Sequence, residues 1–381
     1  MEQLEDVRDK IDEIDHALLD LMVRRTELAA DVAAYKAAHH LTVLDRARER
    51  RVVADARRRV PEDLKSHAAA LMELLMEASR TRQGDILGAT SPAIEAIDEA
   101  LAVAPALFPT DALVVTQGVE GAYQQIATER IFSHAQIGYV GSFEGVFEAV
   151  EAGTCDFGIL PLENSTAGTV NQVYDLMMRH DVHIVRSCRV KVNHNLLAKP
   201  GTRLQDVTDV YSHEQAIRQC EAFLATLPGV RVHVTRNTAL ASRFVAQSDE
   251  PGVCALASRE CAELYGLRAL AKNVQDNDNN YTRFACIAKG LTIYPGADRS
   301  SLMLVVRHRP GALYRVLGIF FALDINITKL ESRPIPDRDF EFMFYFDVAC
   351  PAASPAFRRL VKELGDVCEE FRHLGSYAEV S

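Results

Sequence analysis

The sequence predicts a multidomain protein of three architectures: an all-α N-terminal region that pairs as a helical dimer, a two-lobed α/β centre, and a ferredoxin-like α+β C-terminal domain. Three observations lead there. Residues 1–83 contain no glycine and a single proline, Pro61, and place Leu4, Val7, Ile11, Ile14, Leu18, Leu21 and Leu28 at helical spacing. Residues 111–290 alternate strand-like and helix-like segments, the pattern of doubly wound α/β folds. Residues 300–378 read β-α-β-β-α-β. Between them, residues 84–110 carry Gly84, Gly88, Pro92, Pro105 and Pro109 and read as a linker with a short helix at Ile94–Leu101.

In the first region, one helix over Gln3–Ala38 would be roughly 54 Å long. That is too long for a lone domain of this size, so it needs a partner along its length. Further helices are expected over Asp45–Arg59 and Pro61–Gln83, with Pro61 in the first turn. In the centre, strands are expected at Ala112–Thr116, Gln136–Val140, Phe157–Pro161, His183–Val185, Val190–Leu197, Asp209–Tyr211, Val230–Val234 and Val253–Ala257. The C-terminal strands are Ser301–Arg307, Asn326–Ser332, Glu341–Val348 and Phe371–Ala378, with helices over Gly311–Leu323 and Ser354–Glu363.

Bulk properties narrow the function. A formal net charge of -11 argues against nucleic-acid binding, so an anionic ligand needs local cationic clusters. The apolar runs are too short to span a bilayer. The eight cysteines (Cys155, Cys188, Cys220, Cys254, Cys261, Cys286, Cys350, Cys368) form no CxxC pair. That spacing argues against zinc and for a reduced, cytoplasmic protein, and MEQLEDVRDK has no signal-peptide core.

Arg25 and Lys36, three turns apart, share a helix face. Arg8 lies about 25 Å before Arg25 along the same helix and points elsewhere, so it would join that site only from a partner chain. Asp45, Arg48 and Glu49 share a face of the second helix, and Ser79 and Gln83 a face of the third. Singly, each reads as a solvated helix position; together they form a cation-rich set that suits a dicarboxylate. VRDKIDEIDHALLDLMVRRTELAADVAAYK, DRARERR and EASRTRQ resemble the all-helical chorismate mutase family, whose motif positions fall on all eight of these residues. The resemblance implies that Arg8 of the partner, Arg25 and Ser79 hold substrate carboxylates. It implies that Lys36 and Gln83 bond the ether oxygen, and that Asp45, Arg48 and Glu49 line the hydroxyl side. Such a rearrangement needs positioning and charge stabilisation, with no metal or cofactor.

In the centre, QGVEGAYQQ (117–125), GILPLENSTAGTV (158–170), SHEQAIRQC (212–220) and NNYTRF (279–284) each read alone as loops and caps. In combination they resemble prephenate dehydratase. The resemblance puts Asn164, Ser165, Ser212, Gln215, Arg283 and Phe284 in the substrate pocket. It makes Thr282 the donor to the leaving hydroxyl. Gln124 stands where that family commonly has Ser or Thr.

At the C-terminus, Gly311-Ala312-Leu313 opens a helix and Glu331-Ser332-Arg333 ends a strand. Both resemble the ACT domains of phenylalanine-regulated dehydratases and imply an L-phenylalanine site between paired domains. The whole is similar to bifunctional mutase–dehydratases, implying chorismate and prephenate as substrates, no cofactor, and a homodimer or homotetramer. Two other readings are an arogenate-preferring dehydratase fused to a mutase, and a non-catalytic two-lobed ligand sensor.

Overall fold

The structure, a computed structural model, describes residues 4–39, 41, 43, 45–88, 90–336, 338 and 341–380. It divides into two compact units, Met1–Ser91 and Pro92–Ser381.

The first unit holds helices α1 (Leu4–Ala38), α2 (Arg46–Arg58) and α3 (Lys65–Ile86). Gln3, the expected helix start, lies outside the described residues. Asp45 caps α2, its carboxylate accepting from Arg48 N at 2.9 Å. Pro61 leads into a 3-10 turn, Glu62–Leu64, ahead of α3. Within α1 only Ala29 and Ala33 are buried. Leu4, Ile11, Ile14, Leu18 and Leu21 each remain more than half exposed, an apolar stripe that the rest of the unit leaves uncovered.

The second unit begins with α4 (Pro92–Ala102). Its first lobe then runs through β1 (Asp111–Gln117), α5 (Tyr123–Ile131), β2 (His134–Val140), α6 (Phe143–Glu151), β3 (Phe157–Asn164), β4 (Gly168–Thr169), α7 (Asn171–Arg179) and β5 (His183–Lys191). The second lobe follows with β6 (Asn195–Ala198), β7 (Asp209–His213), α8 (Glu214–Arg218), α9 (Glu221–Leu224), β8 (Arg231–Thr235), α10 (Thr238–Gln247), β9 (Val253–Ala257), α11 (Arg259–Leu264) and β10 (Arg268–Ala271). The chain then returns to the first lobe as β11 (Tyr281–Ala288), between β3 and β5 and antiparallel to both. The two sheets are ordered β5-β11-β3-β1-β2, with the strand Glu379–Val380 (β16) beside β5, and β10-β6-β9-β7-β8. Two crossovers therefore join the lobes, after β5 and before β11.

The strands differ from expectation in two ways: β4, β10 and β11 are not among those expected, and the expected His183–Val185 and Val190–Leu197 are divided otherwise. His183–Lys191 is a single strand, and the chain leaves the lobe before Asn195. Polar residues in its middle masked the run: Ser187 is fully buried, and the Arg186 guanidinium lies over the Phe108 ring, 4.3 Å from its centroid.

The ferredoxin-like domain has β12 (Arg299–Val305), α12 (Ala312–Ala322), β13 (Ile327–Pro334), β14 (Phe342–Val348), α13 (Pro355–Val367), β15 (Glu370–Tyr377) and the terminal β16 (Glu379–Val380). Its antiparallel sheet, β13-β14-β12-β15, is covered on both faces. Leu302, Leu304 and Phe346 pack under α12 and α13, while Met303, Val305 and Tyr345 pack on the first lobe's core.

Residues 84–110 are not a free connector. Gly84 lies inside α3. Ile94, Ile97 and Ala100 of α4 are buried in the ferredoxin-like core, and Phe108 packs among Phe132, Phe157 and Tyr294. The periodicity marked this helix but not its destination. β16 pairs in parallel with β5, returning the chain end to the first-lobe sheet. Gly375 permits this approach: at φ +139, a Cβ there would lie 2.1 Å from the Ile184 carbonyl oxygen.

Candidate active sites

In the first unit, α1 and α3 bring Arg25 to Ser79. Arg25 donates to Ser79 Oγ at 2.6 Å and to Leu75 O at 2.5 Å. The Lys36 ammonium donates to the Val43 carbonyl. Burial lowers the Lys36 pKa below the ordinary lysine value, with Asp45 and Glu49 opposing the drop. Glu49 is ion-paired to Arg80, a residue the motif reading did not select. It follows Ser79 on α3, and its cation beside an α2 carboxylate fixes how those helices meet. Gln83 is buried, and its Oε1 has no hydrogen-bond partner among the described residues. A flip of that amide would present its N–H₂ at the same place.

Arg25 and Arg48 line one cavity of about 610 Å³, together with Arg51, Arg58 and Arg59. All eight expected residues lie on α1, α2 or α3 or, for Asp45, at the N-cap of α2, but of them only Arg25 and Arg48 line this cavity. Arg8 does not join them within one chain; it is exposed, about 25 Å from Arg25 along α1. The cavity offers several cations to an anion, and Gln83 and Lys36 stand outside its lining.

The second constellation lies where the C-terminal end of β3, the start of β11 and the start of α8 meet between the lobes. Thr166 N and Ala167 N donate to Asn164 Oδ1 at 3.1 and 3.0 Å, which fixes the amide's orientation. Asn164 Nδ2 then faces Asn280 Oδ1 at 2.8 Å and Thr282 Oγ1 at 2.9 Å. Because Thr282 Oγ1 accepts there, its own proton stays available to donate. Ser165 clamps the loop, donating to Asn279 O at 2.7 Å and accepting from Tyr281 N at 2.9 Å. Gln215 reaches Asn164 Oδ1 only at 3.5 Å. Gln219, one turn later in the same motif, is bound more closely: Nε2 donates to Thr166 Oγ1 at 2.7 Å and Oε1 accepts from Asn280 Nδ2 at 2.9 Å. Its i, i+4 relation to Gln215 was the available signal. Gln124 donates to Gln117 Oε1 at 3.2 Å.

Three expected pocket residues are placed otherwise. Phe284 is buried in the first-lobe core with Ile159, Cys188 and Val190; it shares a face of β11 with Thr282 but lies two residues further along the strand, under the sheet's core rather than at its cleft end. Ser212 is fully buried and donates to Leu256 O at 2.6 Å. Arg283, 6% exposed, is no free cation: it bridges Glu163, with Nε to Oε1 at 2.7 Å, and Asp347 of β14. Burial opposes its charge, but Asp347 and Glu163 more than offset this and raise its pKa. Glu163 also accepts from Lys329 Nζ at 2.6 Å. Burial works against the Glu163 charge, yet Arg283 and Lys329 hold its carboxyl below the usual range.

In the ferredoxin-like domain, Gly311 adopts a left-handed φ of +81 just before α12. Ala312 and Leu313 line a cavity of about 150 Å³ with Arg309, Phe342 and Phe344. Ser332 pairs with Phe344 across the sheet and so shares that face. Glu331 and Arg333 point the other way: Glu331 accepts from Thr169 Oγ1 at 2.7 Å, and Arg333 binds Asp175 at 2.9 and 2.8 Å. Period-2 alternation gives their charged ends to the first lobe rather than to this cavity. Among the described residues no helix is long and apolar enough to cross a membrane.

A cation-rich helical site, a two-lobed cleft lined with amides and hydroxyls, and a ferredoxin-like domain gripping that cleft's scaffold define a fused two-site enzyme. Comparison with known proteins gives the same order. Residues 7–84 match chorismate mutase type II, 114–291 match prephenate dehydratase, and 300–366 match the ACT domain. The bifunctional chorismate mutase/prephenate dehydratase of Escherichia coli (strain K12) is 30% identical over 97% of this chain and 95% of its own. Arogenate dehydratase/prephenate dehydratase 2, chloroplastic, of Arabidopsis thaliana is 36% identical over 69% of this chain and 72% of its own. Among solved structures, prephenate dehydratase of Arthrobacter aurescens in complex with L-Phe is 26% identical, with a TM-score of 0.64 over 70% of this chain and 90% of that one. A structure titled GqqA, a novel type of quorum quenching acylases, is 30% identical with a TM-score of 0.64, over 70% of this chain and 97% of that one. The chain belongs to the bifunctional chorismate mutase/prephenate dehydratase family. It is an enzyme of two activities, an isomerase and a carbon–oxygen lyase.

Proposed function

We propose that the helical unit rearranges chorismate to prephenate and that the two-lobed cleft converts prephenate to phenylpyruvate, with L-phenylalanine as the inhibitor. The observation that carries this is the presence of two separate, chemically different constellations in one chain. In the first, Arg25, Ser79 and the partner's Arg8 hold carboxylates. Lys36 and Gln83 bond the ether oxygen as it gains charge, and Asp45, Arg48 and Glu49 flank the ring hydroxyl. The exposed stripe of α1 supports a homodimer in which each Arg8 completes the other subunit's site, within a cytoplasmic homodimer or homotetramer.

In the cleft, the Thr282 hydroxyl donates to the leaving ring hydroxyl, and Asn164 holds its oxygen. The ring carboxylate departs as carbon dioxide, its bonding pair enters the ring, the C–O bond breaks, and the hydroxyl leaves with a proton as water. Aromatisation drives the step, so orientation matters more than acid strength. L-Phenylalanine binds at Gly311, Ala312, Leu313 and Ser332, with its carboxylate at the start of α12. Steady-state kinetics of the purified chain with chorismate, prephenate and arogenate, each with and without L-phenylalanine, test the proposal. Turnover of chorismate to prephenate and of prephenate to phenylpyruvate is expected, with phenylalanine inhibiting the second. A higher kcat/KM for arogenate than for prephenate would reassign the cleft's substrate.

A further inference from the structure

His194 lies where the chain crosses between the lobes, and it is 2% exposed. The second crossover holds its backbone: His194 N donates to Gln275 Oε1 at 3.0 Å, and His194 O accepts from Val274 N at 2.9 Å. Its Nε2 lies 3.0 Å from Gln219 Oε1.

The surrounding bonds fix which atoms donate. Thr166 Oγ1 gives its proton to Asn164 Oδ1 at 2.7 Å, so it accepts from Gln219 Nε2. The other Gln219 amide atom is then the oxygen, and it already accepts from Asn280 Nδ2. His194 must therefore carry its proton on Nε2 and donate it. Burial lowers the imidazole pKa, which agrees with a neutral ring. Nδ1 is buried and has no hydrogen-bond partner among the described residues.

From Gln219 the chain of bonds continues through Asn280 and Asn164 to Thr282 Oγ1. We infer that His194 is a positioning residue of the dehydratase: its Nε2–H anchors the amide chain Gln219–Asn280–Asn164, which holds the Thr282 hydroxyl with its proton free for the leaving group. The inference rests on the role proposed above for Thr282. His194 itself touches no reacting atom. Its effect is on orientation, where a small misplacement costs on the order of 10²-fold in rate.

Two polar substitutions separate this role from bulk structural support. Gln places an N–H₂ near the position of Nε2, whereas Asn places one near Nδ1. His194→Asn is expected to lower dehydratase kcat by roughly 10- to 100-fold with KM within about twofold. His194→Gln should restore most of the loss, and His194→Phe should behave like Asn. Mutase turnover, measured on the same preparations, should be unchanged in all three. Equal dehydratase kcat for the Asn and Gln variants overturns the assignment of His194 alone. A loss that appears mainly in KM does the same. If His194→Phe does not fold, the Asn and Gln pair decides the question. Retained dehydratase turnover in Thr282→Ala overturns the role of Thr282 and this inference with it.

Discussion

The two candidate sites solve different problems with different side chains. The helical site is built from full charges: Arg25, Arg48, Lys36, Asp45 and Glu49 on α1 and α2 or at their ends. The cleft between the lobes is built from neutral groups: Asn164, Gln219, Asn280 and Thr282. The cation of NNYTRF, Arg283, is neutralised by two carboxylates. The contrast follows the chemistry. A rearrangement that gathers negative charge on an ether oxygen calls for a cation at that atom. A reaction driven by aromatisation calls for a correctly aimed hydrogen bond, and amides with fixed orientation aim better than flexible ammonium groups.

The strongest way to break this comparison is to remove one member of each site. Thr282→Ala should lower dehydratase turnover by about 10²- to 10⁴-fold while chorismate still yields prephenate. Lys36→Ala should do the reverse. Loss of both activities from either substitution, in folded protein, would mean that the sites are not independent. Regulation sharpens the contrast, because phenylalanine should act on the cleft and not on the helical site. Gly311→Val forces a β-branched residue into a left-handed conformation at the start of α12. It should weaken phenylalanine binding by roughly 5- to 150-fold, the span of about 1–3 kcal/mol of backbone strain, with dehydratase turnover largely kept. Isothermal titration reads the binding, and undiminished affinity would place the sensor elsewhere.

A smaller effect tests the cross-chain role of Arg8. Arg8→Ala and Lys36→Ala homodimers should both be nearly inactive as mutases. Co-expression should restore about a quarter of the parent activity, since half of randomly paired dimers have one intact site. Heterodimers that form without restoring activity would remove Arg8 from the site. The smallest effect concerns pH. Mutase action needs protonated Lys36, and burial lowers its pKa from 10.5. The alkaline limb of mutase kcat/KM should therefore begin below that value, while the cleft, with no ionising donor, shows none from this source. Lys36→Arg should move the limb upward if the guanidinium still reaches the ether oxygen. An unmoved limb would assign the titration to another group.

Much of the architecture was legible because helical and strand periods are strong over long segments. The α1 pattern and the β-α-β-β-α-β order needed no tertiary information. What could not be read was destination. Nothing in PAIEAIDEALA says that its apolar face fits a domain encoded two hundred residues later. Arg283 is a different case. Thr282 and Arg283 are neighbours on a strand, so only one of them can face the cleft, and alternation alone forbids assigning both. The same alternation puts Glu331 and Arg333 on the face opposite Ser332, so the three cannot share one pocket. Gln219 is marked in the sequence only by its i, i+4 spacing from Gln215, and His194 not at all, because its importance lies in a hydrogen-bond chain assembled from both lobes, which no local pattern encodes.

The placement of α4 has a consequence for how the chain comes into being. Ile94, Ile97 and Ala100 are synthesised before the dehydratase lobes, yet the last helix of their core, α13, ends at Val367. At about 5–20 residues per second, the ribosome needs roughly 13–53 s to span the 265 residues from Ala102 to Val367 (367 − 102). For that interval the nascent chain presents an apolar helix with no place to dock. It must stay unclaimed while two lobes fold around their own cores, and it docks only once the residues through α13 have been made.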